Sequence, residues 1–233
     1  MSRSSISHSP FRGAEFIKCA LQVNSFHYRG QFRGQPHTGD PKHYAQQIIN
    51  KAIELDIQVL AITDHNSIQG VDDFREAAQG TDIHIFPGFE LSSNEGIHVL
   101  CLYPKEKRSE ELGHFLGELG IRNPEPDHHV SSKTFSEILK IVHDQEGITI
   151  AAHVTHEKGL LKKLSGQSRI NAWKDRNLLA IQIPDCVEDL PIEYRAIIQN
   201  NNSDYQRVDF IDSNTLPVAV LNAKGMFENN FLI

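Results

Sequence analysis

The residues able to do chemistry sit where apolar runs of the sequence stop. Val59-Leu60-Ala61-Ile62 breaks into Thr63-Asp64-His65-Asn66-Ser67, Glu90 follows Pro87-Gly88, His98 lies in Ile97-His98-Val99-Leu100, and His153 closes a run that ends Ala151-Ala152. A buried strand that delivers polar side chains at its carboxyl end is the usual way an α/β fold builds a site. Two imidazoles and a carboxylate, Glu90, His98 and His153, supply three metal ligands and leave a position open, as catalytic zinc or manganese centres do. Asp64 and His65, side by side at the end of the Val59–Ile62 run, join Glu90 and His153 as candidate site residues. The bland alternatives stay open on spacing alone. Asp64 or Ser67 can cap a helix, and a histidine flanked by apolar residues can be an ordinary core histidine. Thirteen histidines in 233 residues is a high count, and histidine is the commonest metal ligand.

The elements that must position these residues alternate. Buried, β-branched runs at 16–23, 58–62, 83–86, 97–102, 148–152, 178–183 and 218–221 read as seven short strands. Helical periodicity marks 42–55, with Pro41 at its start, 68–79, ended by Gly80, and 110–119. It also marks 134–145, with the capping pair Thr134 and Glu137, and more weakly 158–164, 170–176 and 191–199. Strands alternating with helices imply a parallel sheet or barrel whose strand ends share one face. On that reading Pro87-Gly88 is a turn that aims Glu90 at the centre of the face.

Composition narrows the function class. The net charge of −7 argues against broad electrostatic binding to nucleic acid. Cys19, Cys101 and Cys186 are odd in number, far apart and without a CxxC pair, which fits a reduced, cytoplasmic chain. No apolar run approaches membrane-spanning length. Residues 1–14 are Ser-rich without the apolar core of a signal peptide and read as a disordered lead-in. Residues 26–33 interleave Phe26, His27, Tyr28 and Phe32 with Arg29 and Arg33, the composition of a phosphate- or base-contacting loop.

Thr63-Asp64-His65-Asn66-Ser67, then Pro87-Gly88-Phe89-Glu90 with a histidine eight residues on, then Ala152-His153, resembles the polymerase and histidinol phosphatase (PHP) family. The resemblance runs over nearly the whole chain and implies a distorted (β/α)7 TIM-like barrel across residues 15–233. It further implies two or three metal ions on the carboxyl face and hydrolysis of phosphate esters. Two motifs depart from the family. Its first, Asp-Leu-His-x-His-Ser/Thr, matches Ala20-Leu21-Gln22-Val23-Asn24-Ser25, with amides for both histidines. Its last, Asp-x-His, matches Asn222-Ala223-Lys224. By resemblance, one ion site keeps only Glu90, a second keeps Glu90, His98 and His153, and a third keeps His65. The resemblance also implies His65 beside the ion and Asp64 orienting it, as the catalytic set with Glu90 and His153. The Lys224 ammonium is able to stand in for part of a cation's charge. His27, His37, Asp40 and His43 are candidates for the first-loop ligand.

The resemblance therefore supports two expectations. One is a metal-dependent phosphoesterase or nuclease using zinc or manganese, with His27, Arg29, Arg33, His156 and Lys224 contacting a phosphate-containing small molecule or nucleic acid. The other is a degenerate barrel that senses a nucleotide or nucleic acid for an ATPase. Some PHP domains are fused ahead of ATPases of the chromosome-maintenance type, several in anti-phage systems, and this chain is similar to such modules. Nine residues follow Lys224, too few for a helix over the last strand, so a following domain, an associated partner or homo-oligomerisation is expected to complete the barrel.

Overall fold

The computed structural model of the chain describes residues 17–28, 39–122, 124, 126, 128–183, 186–206 and 219–222. Among them the elements run β1 (Cys19–Val23), α1 (Pro41–Glu54), β2 (Val59–Ile62), α2 (Val71–Ala77), β3 (His84–Ser92), β4 (His98–Leu102), α3 (Ser109–Glu118), α4 (Phe135–Asp144), β5 (Ile148–Ala151), α5 (Leu160–Lys163), α6 (Gly166–Trp173), β6 (Leu178–Ile183), α7 (Ile192–Ile198) and β7 (Ala219–Asn222). The strands pair in sequence order, β1 to β7, as one sheet. A hydrogen bond of 2.8 Å between the amides of Gln182 on β6 and Gln22 on β1 joins strands far apart in that order, so the sheet curls into the distorted α/β barrel.

Two expectations are corrected. The sheet is not parallel throughout, because β4 runs antiparallel to both β3 and β5 while the other pairs are parallel. And Pro87-Gly88 is no turn: β3 runs through it to Ser92. Pro87 is the last residue paired with β2, opposite Ile62, and Gly88 the first paired with β4, opposite Leu102. The dipeptide is where the strand changes partners. Proline lacks the N–H a continuing ladder would use, and a Cβ on Gly88 would lie 2.4 Å from the Cys101 carbonyl oxygen, so only glycine lets β4 approach.

The alternation of side chains divides the core in two. One face of the sheet carries Leu60, Ile62, Ile85, Phe89, Leu91, Val99, Cys101, Ala151 and Ile181, packed against the helices in the large cluster. The other carries a small lumen cluster of Ala61, Leu100, Leu102, Ile150 and Ala152, bordered by Leu21, Phe86 and Ala180. The helices form for local reasons that agree with this burial. Asp40 accepts a hydrogen bond from the His43 amide and Pro41 opens α1. Thr134 and Glu137 form the reciprocal cap of α4, whose Phe135, Ile138, Leu139 and Val142 are all buried; burying each contributes about 2 kcal/mol. The weakest periodicity gave the largest displacement: α6 starts at Gly166, and it is fixed by the buried Trp173 and by Arg169, which donates to the Tyr205 hydroxyl at 2.7 Å and to Glu193 at 2.6 Å. The three cysteines are free thiols. No helix among the described residues is long and apolar enough to cross a membrane.

Candidate metal centre

Because β4 is antiparallel, its first residue, His98, pairs with Ser92, the last of β3. Its carbonyl accepts from the Ala152 amide just past the end of β5. His98 therefore joins the same edge as Glu90 and His153. His65 comes to that edge by a bridge to Glu90 after β2 ends. Phe86, Glu90 and Ser92 are an even number of residues apart on β3, as are His98 and Leu100 on β4, so the polar cluster caps the lumen core directly.

Glu90 is the hub. Its Oε1 lies 2.6 Å from His98 Nδ1, and its Oε2 accepts from Gln22 Nε2 at 3.0 Å. Burial opposes charge on Glu90, but the His98 hydrogen bond and the surrounding imidazoles outweigh it and hold the carboxyl down at about 2. Burial acts in the other sense on His65 and His153, lowering both to about 4, so these rings are neutral at physiological pH. The His98 ring centroid is 4.8 Å from that of His65 and 5.1 Å from that of His153. His153 holds a left-handed backbone conformation, φ 31°, which is strained for a residue with a Cβ.

These residues fit a metal ion. His65 Nδ1 and His98 Nε2 are buried ring nitrogens with no hydrogen-bond partner among the described residues, and such atoms are costly unless something binds them. Ligand atoms of His65, Glu90 and His98 all lie within 4.8 Å of one another. Of the four metal candidates Glu90, His98, His153 and His65, the group that meets within this distance among the described residues is His65, Glu90 and His98, and the His153 ring stands next to it.

The other candidates go elsewhere. Asp64, 1% exposed, turns to the first loop, where its Oδ1 accepts from the Ser25 amide at 2.7 Å and its Oδ2 from the Ser25 hydroxyl. His27 Nε2 contacts Asp73 Oδ2 at 3.1 Å. Asp40 caps α1, and His43 contacts Gln47 on the exposed side of that helix. His156 is exposed at the rim, its ring 5.7 Å from that of His153. Arg29, Arg33, His37 and Lys224 lie outside the described residues. Sequence reasoning missed Gln182, whose only signal is being the one polar residue of Leu178–Ile183. It also missed Lys158, an exposed residue whose charge disfavours protonation of both His65 and His153.

Comparison with known proteins bears on the fold and the family. A 5′-3′ exoribonuclease of Haemophilus influenzae is 32% identical over a stretch covering 33% of this chain and 35% of that protein, so the chain matches about a third of that relative's length. Among solved structures, a protein described as a metal-dependent phosphoesterase of Bifidobacterium adolescentis superposes with a TM-score of 0.54 at 13% identity, covering 92% of this chain and 90% of that one. Endonuclease Q of Pyrococcus furiosus, described as lesion-specific, gives 0.54 at 12% identity over 74% of this chain and 44% of that one. At these identities the structural likeness concerns the fold alone. The PHP domain model matches residues 37–202, most of the chain, and the chain belongs to the PHP family.

Proposed function

We propose that the chain is a metal-dependent phosphoesterase acting on a phosphate ester or phosphodiester, with nucleic acid as the favoured substrate class. The observation that carries this is the buried, ionised Glu90 beside the neutral rings of His65 and His153, with ring nitrogens at His65 and His98 that have no partner among the described residues, on the lumen edge of a PHP barrel. His65, Glu90 and His98 would hold the ion and His153 stands ready as a further ligand; imidazole and carboxylate donors suit zinc or manganese. A bound divalent ion supplies Lewis-acid polarisation of a phosphoryl oxygen. The chain's own residues do the rest. The neutral rings of His65 and His153 offer lone pairs, for the ion or as proton acceptors for a water, without first losing a proton. Exposed Lys158 and His156 at the rim meet the charge of an entering phosphate. The exoribonuclease relative and the endonuclease neighbour favour nucleic acid over a small ester. With the cysteines free thiols, a cytoplasmic location follows as part of the same reading.

A second reading rests on Gln22. Its amide contacts Glu90 Oε2 where the family motif carries a histidine, and two ions are what clamp the attacking and leaving oxygens of a phosphodiester. A barrel in which one ion binds substrate without activating a water would hold a nucleotide or nucleic acid with little turnover and act as a regulatory module, for instance for an ATPase. One experiment separates the two. Purified protein is assayed for manganese content, for nucleotide binding and for manganese-dependent phosphodiester hydrolysis, with Glu90→Gln as control. Hydrolysis that Glu90→Gln abolishes establishes the enzyme; bound manganese and nucleotide without turnover establish the module.

A further inference from the structure

Gln22 and Gln182 lie in an unbroken hydrogen-bond chain across the barrel lumen. The His153 amide N–H donates to Gln182 Oε1 at 3.1 Å, Gln182 Nε2 donates to Gln22 Oε1 at 2.8 Å, and Gln22 Nε2 donates to Glu90 Oε2 at 3.0 Å. The chain has a fixed polarity. At one end a backbone N–H can only donate; at the other an ionised carboxylate can only accept. Each amide between them therefore has one permitted orientation. Gln182 is buried while Gln22 and His153 are half-buried, so these bonds are partly shielded from water. Gln22 reaches the lumen because the register of β1 slips between Ala20 and Val23, and such irregularities re-aim side chains.

We propose that Gln22 and Gln182 are positioning residues that make the centre a single-ion site. The inference rests on the metal-centre reading above. The chain ties Glu90 on β3 to the strained backbone of His153 after β5, so two of the metal-directed residues share one rigid support. It also sets the N–H end of the Gln22 amide against Glu90 Oε2. The positive end of that dipole lies against Glu90 Oε2, on the side of the carboxylate where another cation would sit.

Reversing the polarity tests this without relying on turnover. Gln182→Glu keeps the size of the side chain and accepts from the His153 amide, but it has no N–H for Gln22. Gln22 must then turn, donate to the introduced carboxylate and face Glu90 Oε2 with its own oxygen. Two oxygens, Glu90 Oε2 and Gln22 Oε1, then face each other there, and oxygen donors suit a hard divalent ion. Gln182→Leu breaks the chain instead. Chelator-stripped proteins are titrated with Mn2+ by calorimetry, with folding followed by circular dichroism. Wild type should take up about one Mn2+ and Gln182→Glu about two. Gln182→Leu should bind its one ion roughly 10- to 100-fold more weakly, the usual cost of losing support behind a ligand. A folded Gln182→Glu that binds Mn2+ with the wild-type stoichiometry overturns the relay alone. Wild-type protein that takes up no Mn2+ overturns the metal centre and the relay together.

Discussion

Replacing Glu90 by glutamine removes one charge and changes almost no volume, and it sets two buried effects against each other. Burial alone would make the neutral amide the better residue. Against that, the carboxylate accepts from Gln22 at 3.0 Å and lies 2.6 Å from His98 Nδ1. Holding the carboxyl at about 2, from an ordinary 4.5, says that the His98 hydrogen bond, with the imidazoles around it, outweighs burial. At 1.36 kcal/mol per pKa unit that is about 3 kcal/mol of apoprotein stability. Glutamine can accept from only one of the two donors. It must present an NH2 to the other, and the fixed polarity of the Gln22–Gln182 chain prevents a simple flip from relieving the conflict. The metal-free Glu90→Gln protein should therefore unfold roughly 6–12 °C below metal-free wild type, given about 2–4 °C per kcal/mol at this size. The group's folded pKa is depressed, so the contribution is fully present above pH 4.5 and is lost as pH falls through about 2. Calorimetric and urea unfolding of chelator-treated proteins at pH 7 measure the difference. A Glu90→Gln apoprotein more stable than wild type would refute the reasoning: Glu90 would then be a buried charge left uncompensated until an ion arrives.

The histidines give the next prediction. His65 and His153 fall from 6.5 to about 4 on folding, so the unfolded chain takes up protons first as pH drops. Stability is complete above 6.5 and declines toward 4 by up to about 3 kcal/mol per ring. Urea midpoints at pH 7 and pH 5 should show it, and a His65→Gln, His153→Gln double variant should flatten the slope. Asp64→Ala should leave Mn2+ binding unchanged while lowering stability by about 2–3 kcal/mol, because it strands the buried Ser25 donors; a metal-free but stable variant would return Asp64 to the centre. Lys158→Ala should weaken binding of a short single-stranded oligonucleotide and reduce the salt dependence of binding by roughly one counterion. Unchanged salt dependence would remove Lys158 from the substrate path.

Much of this architecture is legible in sequence because it follows from short-range patterns. Val59 to Ile62 is apolar at every position and bounded by polar residues, and it is buried on both faces as such a run must be. Thr134 and Glu137 announce α4, since the reciprocal cap needs only three residues of spacing. His65, Glu90, His98 and His153 stand out for the same reason, polar groups placed where burial is otherwise apolar. What the sequence could not determine depends on pairing between distant segments. Whether Pro87-Gly88 turns the chain or lets a strand change neighbours is decided by β4 arriving antiparallel, 2.4 Å from where a side chain would be. That arrival brings His98 to the same edge as Glu90. Spacing cannot say that Asp64 serves Ser25, or that a slipped register turns Gln22 toward Glu90 and Gln182, 160 residues away. Local patterns set which side chains are polar or buried; only closure of the barrel decides which of them touch, because a hydrogen bond needs atoms within about 3 Å, and only the folded chain sets distances that short between strands so far apart in sequence.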